Sequence, residues 1–198
     1  MHVMRLILTL CAFFLAVGIG AHALDELYGR PLRTQIDSSI LLTLAIAGLL
    51  GAVGLGIYGI TQVGWVLLPF MIVGPVLAVA YNLELFGGTL HNTATFAFAW
   101  GAFPVLVAYV VQSGPFAAGP ILAAGAAMLF SVAQRKLSTP ARLLRRQATT
   151  TEGRITLLSG TTIALDARAL LGPLEQTLRA MSWAIVLLAT SLAIVRLT

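Results

Sequence analysis

Long apolar runs separated by short polar breaks organise this chain. They cover Leu6 to Ala23, Ser38 to Ile60, Gly64 to Leu85, Asn92 to Val111, Pro115 to Val132 and Met181 to Leu197. A helix needs roughly 20 mostly apolar residues to cross about 30 Å of hydrocarbon, and each run approaches that length. No alternation of polar and apolar positions marks the strands of a membrane barrel, so the runs predict spanning helices. Pro69 and Pro75 predict a kink in the third run, Pro104 lies inside the fourth, and Pro120 sits near the start of the fifth. The expected fold is all-α: a polytopic transmembrane helix bundle of about six spans. The expected organisation is a five-span bundle over 1–133, a basic loop over 134–180 and a final span over 181–198.

Composition sharpens this. Of 198 residues, 59% are hydrophobic and only 10% are charged, too few to cover the surface of a soluble protein of this size. An ordinary soluble enzyme, a nucleic-acid-binding domain and a disordered tail are excluded. The lone Cys11 lies in an apolar run, so neither an intramolecular disulfide nor a CxxC-type metal site is available.

The charges also orient the chain. Ten of its twelve Lys and Arg residues fall after the first and fifth runs: Arg30 and Arg33, then eight from Arg135 to Arg179. Cytoplasmic loops collect Lys and Arg, so this side is expected in the cytoplasm of a prokaryotic cell membrane, with both termini outside. An alternative is a signal peptide, with Arg5, an apolar run and a cleavage site at Ala21-His22-Ala23. Cleavage would put nearly every basic loop outside, against the charge rule.

Small residues recur four apart, as Gly48, Ala52 and Gly56 and as Gly119, Ala123 and Ala127. Such stripes let helix backbones approach in lipid, although an Ala- and Gly-rich composition produces them too. The basic loop has its own order. Ser138-Thr139-Pro140 reads as a helix start, followed by a short basic amphipathic stretch to Arg146. Thr149 to Gly153 reads as a polar break, Ile155 to Leu165 as a hairpin, and Asp166 as the cap of a helix leading to the last span.

The candidate chemistry lies at span ends. His22, Asp25 and Glu26 are spaced i, i+3 and i+4, a spacing that puts an imidazole and two carboxylates on one helix face. With His91 they are candidate ligands of a divalent cation such as magnesium. Asp25 and Glu26 are the candidate catalytic groups, as metal ligands or general bases. Arg30, Arg33, Asn82 and Glu84 are candidate ligand-binding residues, the arginines as clamps for an anion. Ionisable groups at membrane edges also arise as plain interfacial charges, and Glu26 has Arg30 four residues on as an ion-pair partner.

The stretch HALDELYGRPLRTQI, leaving one span and entering the next, resembles the first cytoplasmic motif of the UbiA superfamily of polyprenyltransferases. Arg30-Pro31-Leu32 matches the segment that opens the family's next helix, and Asp25 falls at the last motif aspartate. AYNLELFGGTLHNTATFAFAWGAFP is similar to the span, short loop and span that follow. The resemblance covers roughly residues 10 to 135. It implies a cytoplasm-facing cavity for an isoprenoid or lipid ligand, assisted by a metal, and a transferase if the chain is an enzyme. Membrane lipids are the expected surroundings, a homo-oligomer or a larger complex is compatible, and no nucleic-acid partner is expected. Two other classes stay open: a non-catalytic membrane subunit or scaffold, and a small proton-coupled transporter with His22 and Glu84 as its relay.

Overall fold

A computed structural model of the chain describes residues 1–114 and 117–197. Its helices are α1 (Val3–Gly29), α2 (Ser38–Val63), α3 (Trp65–Asn82), α4 (Thr93–Ser113), α5 (Ala118–Arg146) and α6 (Ala167–Leu197). Among the described residues, α1 to α4 and α6 are the five helices long and apolar enough to cross a membrane. The chain is an all-α membrane protein with one small hairpin. The start of the fifth expected span, at Pro115, lies outside the described residues. Its remainder opens α5, which is not among the five; that helix runs on without a break through Pro140 to Arg145 and Arg146. The expected separate basic helix after Ser138 is therefore the end of α5. Proline there removes one N–H, and the good helix formers after it, Ala141 to Leu144, continue the helix.

Two compact units divide the chain, Met1–Ser131 and Val132–Thr198. In the second unit, strands β1 (Arg154–Thr156) and β2 (Thr162–Ala164) pair antiparallel, Ile155 opposite Ile163. Gly160 turns the hairpin with φ +80°. The Asp166 carboxylate accepts the Ala169 N–H at 2.7 Å and caps α6, which continues past Pro173 as one helix to Leu197. The final span is thus the end of a helix that begins inside the expected loop.

In the first unit, α1 to α4 pack around two apolar clusters at opposite ends. One joins Ala23 and Leu24 of α1 to Leu41 and Ala45 of α2, with Val79 and Leu83 against them. The other joins Leu67 to Phe103, Val107 and Val111 of α4, with Phe13 and Phe70 against them. Gly64 alone links α2 to α3, at φ +95°.

Two helices widen locally into π-helix, α1 over Phe14–Ala21 and α4 over Phe98–Ala102. Each wide stretch is approached by a small residue. A Cβ on Gly48 would sit 2.6 Å from the Leu15 carbonyl and 2.9 Å from the Gly20 nitrogen, so only glycine lets α2 meet α1 there. A Cβ on Gly101 would lie 2.6 Å from the Ala127 carbonyl of α5. The stripe on α2 continues with Gly56 against Met71, whereas Gly119 of the other stripe touches nothing within 4 Å.

Candidate functional site

Two sites stand at opposite ends of the first unit, one polar and one apolar. The polar end gathers the last turns of α1, the loop to α2, the end of α3 and the loop to α4. Glu26 is its buried centre, 4% exposed. Its Oε1 accepts from the Thr34 N–H at 2.7 Å and the Thr34 hydroxyl at 2.8 Å, and its Oε2 accepts from the Leu32 N–H at 3.0 Å. Arg30 ends α1 in the left-handed region, at φ +44°. Its guanidinium donates to the Thr34 carbonyl (3.1 Å), the Ile36 carbonyl (2.9 Å) and the Ser38 hydroxyl (2.8 Å). Asp37 caps α2, accepting from the N–H and hydroxyl of Ser39 at 2.8 and 2.7 Å. Those two bonds and the nearby Arg30 charge hold its carboxyl below the usual aspartate range.

These contacts set the surroundings of the other candidate residues. Arg30 spends three of its five N–H donors on its own loop, all on neutral oxygens. Arg33, at φ +53°, is exposed on that loop. His22, Asp25 and Glu26 do not act as one face. The packing boundary against α2 and α3 passes between them, leaving His22 and Asp25 exposed and Glu26 buried. The Nδ1–H of His22 donates to the Val17 carbonyl at 2.8 Å, beside the π-helical stretch. Asn82 turns back on its own helix, donating to the Ala78 carbonyl at 2.7 Å.

His91 stacks on Tyr81, ring centroids 4.5 Å apart. Its Nδ1 lies 3.1 Å from the Tyr81 carbonyl and 3.7 Å from Glu84. Among the described residues, no three His, Cys, Asp or Glu are grouped to hold a metal ion. Three of the four lone-pair directions on the Glu26 carboxylate are already taken by donors. The residues present do not fit the expected divalent cation.

The apolar site is a cavity of about 150 Å³ between α1, α2, α3 and α4. It starts at Arg5, Gln62 and Val111 and reaches inward to Trp100, Leu77 and Ala78. It therefore occupies the half of the unit away from Glu26, and none of His22, Asp25, Glu26, Glu84 and His91 lines it. Both π-helical stretches contribute to its wall, Val17 from one and Trp100 from the other. Arg5 spans its outer end. One Nη donates to the Gln62 carbonyl at 2.7 Å and the other to the Val111 carbonyl at 3.3 Å. Both carbonyls belong to last turns of helices, where no intrahelical N–H reaches them. Beside it, His2 and Gln112 exchange hydrogen bonds of 2.9 and 3.1 Å.

The sequence reading missed this cavity. A single charge at the edge of an apolar run was the available sign for Arg5, and it was read only for topology. No family model, curated protein or solved structure matches the chain.

Proposed function

We propose that this protein is a membrane-embedded binder of an apolar, lipid-type ligand, held in the cavity between α1 and α4. The observation that carries the reading is the cavity itself, walled by apolar residues such as Leu8, Phe13, Met71 and Phe103. An apolar cavity of about 150 Å³ admits a benzene-sized group, or one segment of a branched hydrocarbon chain. The likeness of residues 10–135 to the UbiA superfamily supports a bundle that handles isoprenoid or lipid molecules. Counting back from Asp25, the family's other motif positions, one Asn and two Asp, carry Val17, Gly18 and Ala21. None of these holds magnesium, so the reading is of binding without diphosphate chemistry.

The topology proposed with it places both termini outside and the basic stretch from Arg135 to Arg179 in the cytoplasm. It requires the apolar first half of α5 to cross as well. Reporter fusions within Ala148–Gly153 and after the last residue should read cytoplasmic and external, respectively. An external reading at Ala148–Gly153 refutes the topology. Binding is tested by native mass spectrometry of protein extracted from membranes. The expected result is a retained neutral lipid or isoprenoid that Ala52→Phe, which fills the cavity, displaces. Identical spectra for parent and variant refute the reading.

A further inference from the structure

The β1–β2 hairpin has one apolar face, and among the described residues it has no third strand. Successive strand residues point to opposite faces. Ile155, Leu157, Ile163 and Leu165 therefore share one face, and Arg154, Thr156, Thr162 and Ala164 the other. The ladder continues at both ends: Leu157 donates its N–H to the Thr161 carbonyl and Leu165 to the Gly153 carbonyl, each at 2.9 Å. Ile155, Leu157 and Ile163 are 46%, 43% and 46% exposed. Leu158 stands at the tip, fully exposed, in a turn closed by the Gly160 N–H on the Leu157 carbonyl. Turns are ordinarily filled by Gly, Pro, Asn, Asp or Ser, so a leucine there is an apolar group held outward. A two-stranded hairpin is marginal in water unless its apolar face is covered.

The charge around the hairpin identifies the cover. Residues 135–179 hold eight Lys and Arg against three Asp and Glu, while the rest of the chain has four of each, so the whole net charge of +5 lies here. Arg142, Arg154, Arg168 and Arg179 are exposed. Of the three acids, Glu175 pairs with Arg145 and Asp166 caps α6. Aliphatic residues at a tip with cations around them complement an anionic lipid surface, where the apolar groups enter the acyl boundary and the cations meet phosphates. That surface is also within reach. α6, one of the spanning helices, starts at Ala167, two residues after Leu165. From Ala167 to Met181, where the last apolar run begins, is roughly 21 Å of helix. From Leu165 to Leu158 is roughly 23 Å of extended strand.

We propose that the hairpin is a membrane-surface anchor, whose apolar face and Leu158 tip seat in the anionic bilayer that the protein itself spans. This goes beyond the proposed function and does not rest on the cavity. The test uses the full chain with Cys11→Ser and one nitroxide-labelled cysteine, from Leu158→Cys, Ile163→Cys, Thr156→Cys or Thr162→Cys. Nanodiscs of phosphatidylcholine with and without phosphatidylglycerol are compared. Collisions with oxygen, which concentrates in hydrocarbon, are set against collisions with a water-soluble nickel chelate. In anionic discs oxygen should dominate at positions 158 and 163, and nickel at 156 and 162. Neutral discs should lower the oxygen-to-nickel ratio at position 158 about fivefold, the weight of one basic residue at an anionic surface. A label can unfold so short a hairpin, so the unsubstituted protein supplies a second readout. Its Leu157 and Leu165 amides should exchange with deuterium about tenfold more slowly in anionic than in neutral discs. Equal exchange in the two discs overturns the proposal, and so does nickel dominating at all four positions. Low collision with both reagents at positions 158 and 163 marks a protein cover, the chain's own or a partner's, and overturns it too.

Discussion

Glu26 accepts both the backbone N–H and the hydroxyl of Thr34, at 2.7 and 2.8 Å. A third bond, from the Leu32 N–H, completes the arrangement. The carboxylate folds the α1–α2 loop back onto the helix that carries it, and Arg30 fastens the next part of the same loop. The donors nearest to this buried acid belong to its own chain, two amides and a hydroxyl.

Glu26→Ala should release the loop. The Leu32 and Thr34 amides, left without acceptors, should exchange with deuterium about tenfold faster or more, and the melting temperature should fall. Glu26→Gln should be intermediate, since its amide oxygen can still take one set of donors while its NH2 faces another. Exchange at Leu32 and Thr34 unchanged in Glu26→Ala would refute this role.

Gly48 and Gly54 lie on the same helix and should respond in opposite ways. A methyl at Gly48 would press on the Leu15 carbonyl and the Gly20 nitrogen, whereas one at Gly54 meets nothing within 4 Å. Gly48→Ala should destabilise the bundle by about 1–3 kcal/mol, the usual cost of overpacking. Gly54→Ala should be neutral or slightly stabilising, by up to about 1 kcal/mol, through helix propensity. Thermal or chemical unfolding in micelles checks both.

Arg5 closes two helix ends with one side chain. Arg5→Ala should cost about 2 kcal/mol, because two helix-end carbonyls lose a charged donor. Arg5→Lys should recover only part of this, since an ammonium lacks the planar fork that reaches both carbonyls. Unfolding in micelles compares the three proteins, and equal stability of Arg5→Ala and the parent would contradict the bridge.

Asp37 predicts a pH dependence with a definite sign. Its carboxyl is held below its ordinary value by Ser39 and Arg30, so the charged form is favoured in the folded state. The stability it gives is present above about pH 4, the ordinary aspartate range, and is lost as pH falls through the lower folded value. A melting series from pH 7 to pH 3 should show this loss in the parent and a smaller one in Asp37→Asn. The cap itself should keep part of its strength in the variant, because Asn also caps helices well.

The helices were legible in the sequence because apolar run length is a strong signal in a membrane chain. The hairpin near Gly160 and the cap at Asp166 were legible too, because each rests on a few neighbouring residues. The continuity of α5 through Pro140 was not, since a proline preceded by Ser-Thr carries the same local pattern as a helix start. The candidate site divided along the same line. Helical spacing brought His22, Asp25 and Glu26 within one fan of side chains, but it could not say where the packing boundary would cut that fan. Most partners of Glu26 and Arg30 are loop amides and carbonyls, which no residue identity announces. The cavity depends on four helices meeting and on two π-helical stretches that turn Val17 and Trp100 toward one space, and neither has a sequence pattern of its own.

The central claim is that the ligand lies in the Arg5 half of the first unit and not at the polar end around Glu26. Photo-crosslinking locates it directly. A long-chain hydrocarbon probe bearing a diazirine is irradiated with the full chain in nanodiscs, and the labelled peptides are identified by mass spectrometry. The account predicts labels concentrated on cavity residues such as Phe13, Ala52, Met71 and Phe103, and their loss in Ala52→Phe. Labels concentrated instead on residues 22–38 and 82–92, or spread over the lipid-facing helix surfaces and unchanged by Ala52→Phe, would contradict it.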